Sequence, residues 1–261
     1  MNGRVPAASF MARSLELQTR LRDCDGGTPV DCEYSAAHRA VEIVAILVFG
    51  GLASYLSWRL ASTTRGSQLW IIGAAALAGY VAADFMSGVV HWLFDTWGSV
   101  DTPVLGTSFI RPFREHHRDA MSITRHDFIE TNGNNCVASV PVLAAACFIP
   151  LETDPGMFAT AFVLFLSLGV FATNQFHKWA HMEDPGRIIR RLQRWHLILP
   201  SDHHSIHHSA PYATHYCITT GWLNPLLRAT DFYRRAERVI ATVTGAQPRK
   251  DDGESASKSF E

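Results

Sequence analysis

The sequence predicts an all-α integral membrane protein: about four transmembrane helices, paired as two hairpins, carrying a cytoplasmic histidine-rich helical cap. Three observations predict it. Hydrophobic residues make up 47% of the chain and are bunched into stretches of membrane length. Arginine is concentrated in the segments at one end of those stretches. Eleven of the thirteen histidines gather in two of those segments, 95–135 and 177–243.

Residues 1–39 are polar, carry arginine and hold no apolar run of signal-peptide type, so they read as a flexible tail. The first span is "AVEIVAILVFGGLASYLSWRLA", residues 40–61, with Glu42 near its start and Arg59 near its end. The polar loop "STTRGSQ" leads to "LWIIGAAALAGYVAADFMSGVVHWLF", residues 69–94, a second span rich in small residues. A polar segment runs to residue 135. Two further apolar stretches follow, 136–151 and 157–176, separated by the turn "ETDPG". The stretch 136–151 is short for a span, and a re-entrant or interfacial placement is its alternative.

The loop 62–68 holds only Arg65 and the turn 152–156 no basic residue, whereas 95–135 holds Arg111, Arg114, Arg118 and Arg125, and the chain after 177 is arginine-rich. The positive-inside rule then puts both termini and the segments 95–135 and 177–243 in the cytoplasm. The domain so defined is 40–243, and the polar residues 244–261 read as disordered. A net charge of −1 gives no sign of nucleic-acid binding. Five cysteines without a CxxC pair argue against a disulfide framework or a thiolate zinc site.

The histidines form four groups. His91 lies near Asp84 and Asp95 along one helical face. His116 and His117 are adjacent in "REHHRD", followed by His126. His177 and His181 stand at i, i+4 in "NQFHKWAH". "SDHHSIHH" places His204, His207 and His208 at i, i+3, i+4 on one face, with His203 beside them. A lone or adjacent histidine says little, the HxxxH pair says more and HxxHH more again, but the argument turns on their joint occurrence. Four groups from four segments, all at one membrane face, point to a shared metal site. Zinc needs about four ligands; eight or nine imidazoles suit two metals. Imidazole serves zinc, copper and iron alike, so ligand type leaves the metal open. A nitrogen-rich dinuclear site at a membrane face fits non-haem iron activating O₂, with Asp84 and Asp95 orienting imidazoles.

The stretches "VHWLFDTWGS", "FIRPFREHHRDAMSITRHDFIETNGNN", "NQFHKWAH", "WHLILPSDHHSIHH" and "CITTGWLN" resemble the plasmanylethanolamine desaturase family of plasmalogen-forming membrane desaturases. The resemblance runs from about His91 to Asn224, and chloroplast desaturases are more distant relatives. It implies a 1-O-alkyl-2-acyl-glycerophosphoethanolamine substrate, a vinyl-ether product, two iron ions and O₂ as co-substrate. It also implies a cytochrome b5-like or ferredoxin-like electron donor, and a bacterial inner membrane or the endoplasmic reticulum as location. The implied ligands are His91, His116, His117, His177, His181, His204, His207 and His208, with His203 a ninth candidate. His126 stays open between ligand and support, and His196 reads as a packing residue.

Two departures stand out: Phe113 replaces the first histidine of a usual HxxHH box, and "SAPYATHYC" has Tyr212 and His215 in exchanged places. Arg111 and Arg114 are candidates for a lipid phosphate. The segment "PGRIIRRLQRWHLILP" reads as an interfacial helix on an anionic membrane. Two alternatives accompany this reading: a related di-iron desaturase or hydroxylase acting on another lipid chain, and a membrane metal-binding or sensing protein. The middles of the spans carry no histidine, which disfavours the second.

Overall fold

The structure, a computed structural model, describes residues 35–102, 106 and 110–249; the two expected tails lie largely outside the described residues. Helix α1 is Ala36–Thr63, and a 3-10 turn at Gly66–Gln68 leads into α2, Leu69–Thr96. Helices α3 (Arg111–Arg118), α4 (Ser122–Arg125) and α5 (Phe128–Ala146) follow. Then come α6 (Asp154–His181), α7 (Arg187–Arg194), α8 (Ser201–His207), α9 (Asn224–Ala229) and α10 (Phe232–Thr244). No strand occurs among the described residues.

Caps explain where the long helices start. The Ser35 side chain accepts from the His38 N–H, so α1 begins four residues before the apolar run. Asp127 accepts from the N–H groups of Ile129 and Glu130 and opens α5. The Thr153 hydroxyl caps α6, whose Pro155 sits at the first turn where its missing N–H costs nothing.

By length and composition three segments are long and apolar enough to cross a membrane: Ala36–Thr63, Gly66–Thr96 and Asp154–His181. The apolar stretch expected at 136–151 belongs to α5, which starts at Phe128 and ends at Ala146. Its first half is polar and turned into the bundle. Asn135 donates to the Val170 carbonyl at 2.7 Å and Asn132 to the Gln175 side chain at 3.4 Å. Those inward amides lower its apolar content, and each donates through its nitrogen to a neighbour.

Helix α1 packs against α5, α2 against α6, and α5 against α6. Arg39 pairs with Asp127 at 2.7 Å at one end of α1. Arg59 donates to the carbonyls of Cys147 (2.7 Å) and Ile149 (3.0 Å) at the other, so α1 and α5 run parallel. Small residues bring α2 and α6 together. A Cβ on Gly79 would lie 2.6 Å from the Phe162 carbonyl oxygen, and one on Gly169 2.5 Å from Ala83 Cβ. The core of the bundle is Ala, Leu, Phe and Met: Phe49, Leu56, Leu143, Met157 and Leu164 are all buried. Leu47, Trp58, Trp70 and Phe148 stay exposed on its outside, as a lipid-facing surface requires.

The chain after α8 is clamped onto α2. The buried Asp84 carboxylate accepts from the N–H groups of Thr220 (2.7 Å), Gly221 (2.8 Å) and Leu223 (3.1 Å). Asn224 closes the loop by accepting from the Cys217 N–H and donating to its carbonyl. This fixes residues 214–217 beside the end of α2, where the histidines gather.

Candidate metal centre

Four helix ends meet at one end of the bundle: the last turns of α2 and α6, all of α3, and α8 with its cap His208. Their side chains form two groups, each with donor atoms within 4.8 Å of one another. One is His116, His177, His181, His204 and His208. The other is His91, Asp95, His117 and His207. The spacing i, i+4 puts His177 with His181 and His204 with His208 in the first group, and His91 with Asp95 in the second. Adjacent helical residues diverge by about 100°, so His116 and His117 serve different groups. The expectation that His204, His207 and His208 share one face is refined: His207 turns to the second group.

In the first group the ring nitrogens are closer than independent hydrogen bonds allow. The Nε2 atoms of His177, His181 and His204 form a triangle with sides of 2.8, 2.9 and 3.1 Å. Each side, to be a hydrogen bond, needs one donor and one acceptor. Three atoms of two kinds cannot satisfy three sides, so at least one side faces like with like. The His208 Nε2 extends the cluster, 3.0 Å from His204 and 3.1 Å from His116. A cation among the five nitrogens removes the conflict. With metal–nitrogen bonds of about 2.0–2.1 Å, neighbouring ligands lie about 3.0 Å apart on an octahedron and about 3.4 Å on a tetrahedron. The observed spacing, 2.8–3.1 Å, is that of donors gathered around one small cation.

The second group gives the same answer by another route. His91 Nδ1 donates to the Tyr216 carbonyl (3.1 Å) and His207 Nδ1 to the Thr214 carbonyl (2.9 Å). A carbonyl only accepts, so both protons sit on Nδ1 and both Nε2 atoms present lone pairs. Both Nε2 atoms lie near Asp95 Oδ2, at 3.3 Å from His91 and 3.6 Å from His207. His117 Nε2 is 3.0 Å from the same oxygen. The Nε2 atoms of His91 and His207 and the Oδ1 of Asp95 are buried without a hydrogen-bond partner. Buried lone pairs beside a carboxylate are repulsive unless a cation or a proton lies among them, and a metal ion would meet all four donors at once.

The imidazoles are held in the form a metal needs. Burial, reinforced by the neighbouring histidines, pushes His116 down to about 2 and His208 down to about 3. Burial also holds His204 and His207 well below the usual imidazole range. Neutral rings bind metals; imidazolium rings do not.

Other residues singled out in the sequence lie elsewhere. His203 stands outside both groups: its Nε2 is 3.0 Å from Asn224 Nδ2 and its ring stacks edge-on with His215 at 4.9 Å. His126 faces Glu130 at 3.6 Å, and its carbonyl accepts from Lys178. His196 is exposed, with its carbonyl receiving the Trp222 indole N–H. Asp84 holds backbone rather than an imidazole. Arg114 donates through Nη2 to the carbonyls of Trp97 (3.3 Å) and Gly98 (2.7 Å); Arg111 is half-buried at the start of α3. The backbone carbonyls of Thr214 and Tyr216 carry no sequence signal, and only the folded loop reveals their part. Asp95 was legible as a partner of His91 and lies inside the second group itself.

The lipid desaturase domain family matches residues 80–251. A Myxococcus xanthus protein named plasmanylethanolamine desaturase is 49% identical over 240 residues, covering 92% of this chain and 85% of its own. The mouse plasmanylethanolamine desaturase 1 is 43% identical over 231 residues, 86% of this chain and 85% of its own. The Arabidopsis thaliana protein named fatty acid desaturase 4, chloroplastic, is 34% identical over 180 residues, 67% of this chain and 53% of its own. No solved structure matches the fold. With two buried donor groups, membrane-length helices and this similarity, the chain belongs to the plasmanylethanolamine desaturase family of lipid desaturases.

Proposed function

We propose that this protein is a di-iron membrane desaturase that converts 1-O-alkyl-2-acyl-glycerophosphoethanolamine into its vinyl-ether product, a plasmalogen. The observation that carries the reading is the pair of buried donor groups at the ends of two membrane-length helices, in a chain 49% identical to a plasmanylethanolamine desaturase. Two hydrogens leave the first two carbons of the alkyl chain. O₂ becomes two waters, with two electrons from the C–H bonds and two from an external donor of cytochrome b5 or ferredoxin type.

Iron, one ion in each group, supplies the oxidising power for an unactivated C–H bond. His116, His177, His181, His204 and His208 would hold one ion; His91, Asp95, His117 and His207 the other. The protein's own part is positional. The Tyr216 and Thr214 carbonyls fix two rings with Nε2 forward, and the surrounding helices exclude water.

The membrane arrangement we infer has four helices as two hairpins, with α5 the fourth; its 19 residues span about 28 Å. Both termini and the metal centre then face the cytoplasm, by the distribution of arginine. The sites that fit are a bacterial inner membrane or the endoplasmic reticulum. Two features support a lipid substrate. An apolar groove of about 400 Å³, lined by Ala76, Leu77, Tyr80, Phe165 and Phe176, runs between α2 and α6 up to the residue before His177. On α7 and the loop after it, Ile188, Trp195 and Leu197 are exposed among Arg187, Arg191 and Arg194, the composition of a helix lying on a membrane surface. Arg111 and Arg114, both on α3, are the candidates for a headgroup phosphate.

The test is expression in a host without vinyl-ether lipids, fed an alkylglycerol, with lipids read by mass spectrometry. Vinyl-ether phosphatidylethanolamine is the expected product. Its absence, with folded iron-loaded protein and a working donor, rejects the reading; a new double bond in an acyl chain instead would redirect it to the acyl-lipid branch.

A further inference from the structure

The two donor groups have different aromatic surroundings. Among the described residues the five-histidine group has only other histidines as ring neighbours. The second group opens onto a file of oxidisable rings. Tyr216 lies 5.1 Å from His207 and 5.7 Å from His91, centroid to centroid. Tyr233 is 4.8 Å from Tyr216, Trp92 is 5.5 Å from Tyr233, and Trp97 is 6.3 Å from Trp92. Tyr216, Tyr233 and Trp92 are buried, and Trp97 reaches partial exposure.

Packing alone does not call for these residue types. The membrane core does the same work with Ala, Leu, Phe and Met, and contains no Tyr or Trp among its described members. The file also holds a proton acceptor. Trp92 Nε1 donates to the buried carboxylate of Glu237 at 3.1 Å, and Arg234 holds the other oxygen at 2.9 Å. Glycine makes room for the middle of the file: a Cβ on Gly88 would collide with the Tyr233 hydroxyl and the Cys217 sulfur.

We propose that Tyr216, Tyr233, Trp92 and Trp97 form an escape route that carries an oxidising equivalent from the His91–Asp95–His117–His207 group to the protein surface when no lipid is present to consume it. The proposal rests on the iron-and-O₂ reading above. The step balances as follows. One electron leaves the Trp92 indole through Tyr233 and Tyr216 and fills the oxidising equivalent at the metal group. The indole proton passes to Glu237. Trp97 returns one electron to Trp92 and the proton goes back from Glu237. A small cytosolic reductant of the thiol or ascorbate class re-reduces Trp97, so the protein is unchanged and the reductant has lost one electron. Contacting rings suit this task because electron tunnelling weakens steeply with each added ångström.

The experiment uses full-length protein loaded with ferrous iron, treated with hydrogen peroxide in the absence of lipid and reductant. Wild-type protein should give an organic radical on an indole, identified by paramagnetic resonance with ring-deuterated tryptophan. Oxidation should map to Trp92 and Trp97 by mass spectrometry. In Tyr233→Phe the indole radical should fall several-fold and oxidation should move to His91, His207 and Tyr216, with faster iron loss. Vinyl-ether formation with lipid present should stay close to wild type. If Tyr233→Phe does not hold iron, Glu237→Gln serves: the amide still accepts the indole hydrogen bond but takes no proton, so the radical should become the protonated cation form. An unchanged radical yield and oxidation map in iron-loaded Tyr233→Phe, or a neutral indole radical in iron-loaded Glu237→Gln, would overturn the proposal. So would the absence of Trp92 and Trp97 oxidation in iron-loaded wild type. Vinyl-ether synthesis with either of those results rejects the route alone; failure of the chain to bind iron rejects both readings.

Discussion

The two donor groups share the His116–His117 wall yet are built differently. Five neutral imidazoles make the first, and its order comes from helical spacing: His177 with His181 and His204 with His208. The second has three imidazoles and a carboxylate, and its order comes from loop backbone, through the carbonyls of Thr214 and Tyr216. The first therefore has a donor to spare, and the second does not. It is also the second that touches tyrosine: Tyr212 packs edge-on against His117 at 5.4 Å and Tyr216 against His207. The contrast is between a site with one donor more and a site with fewer donors beside the tyrosine and tryptophan rings.

The largest expected effect is at His207. His207→Ala leaves the second group with three donors, so metal analysis should find about one iron per chain rather than two, with desaturation abolished. Two irons retained would break the two-group description. Asp95→Asn comes next. It removes the only carboxylate of that group, and a loss of about 10–100-fold in affinity for one of the two metals is expected, read by chelator competition.

His208→Ala sharpens the contrast from the other side. Four nitrogens remain in the first group, so both irons should stay bound while activity is lost. Equal iron loss in His207→Ala and His208→Ala would show that the groups do not differ in reserve. The smallest effect is expected at His203, outside both groups. His203→Ala strands one buried N–H of Asn224 and should cost about 1–3 kcal/mol of stability, with iron content unchanged. A fall in iron content there would redraw the boundary of the centre.

Much of this was legible in the sequence. The helical class, the three long apolar segments and the histidine clustering all follow from local spacing and composition. The fourth apolar stretch was legible as a helix but not in extent. Asn132 and Asn135 read as polar loop residues until the bundle supplies their partners, so α5 starts earlier than its apolar run. Tyr233, Trp92 and Glu237 gave no signal, because they are 145 residues apart in sequence at the widest and meet only through α10 lying on α2.

The sequence by itself determined which side chains were available and which pairs share a helical face, because the α-helix turns spacing into direction. Only the tertiary structure decided the division of labour. His116 and His117, and His207 and His208, part company because adjacent helical side chains diverge by about 100°, and the surrounding helices provide a second destination. The choice of nitrogen on His91 and His207 was likewise decided by loop carbonyls that Asp84 and Asn224 hold in place.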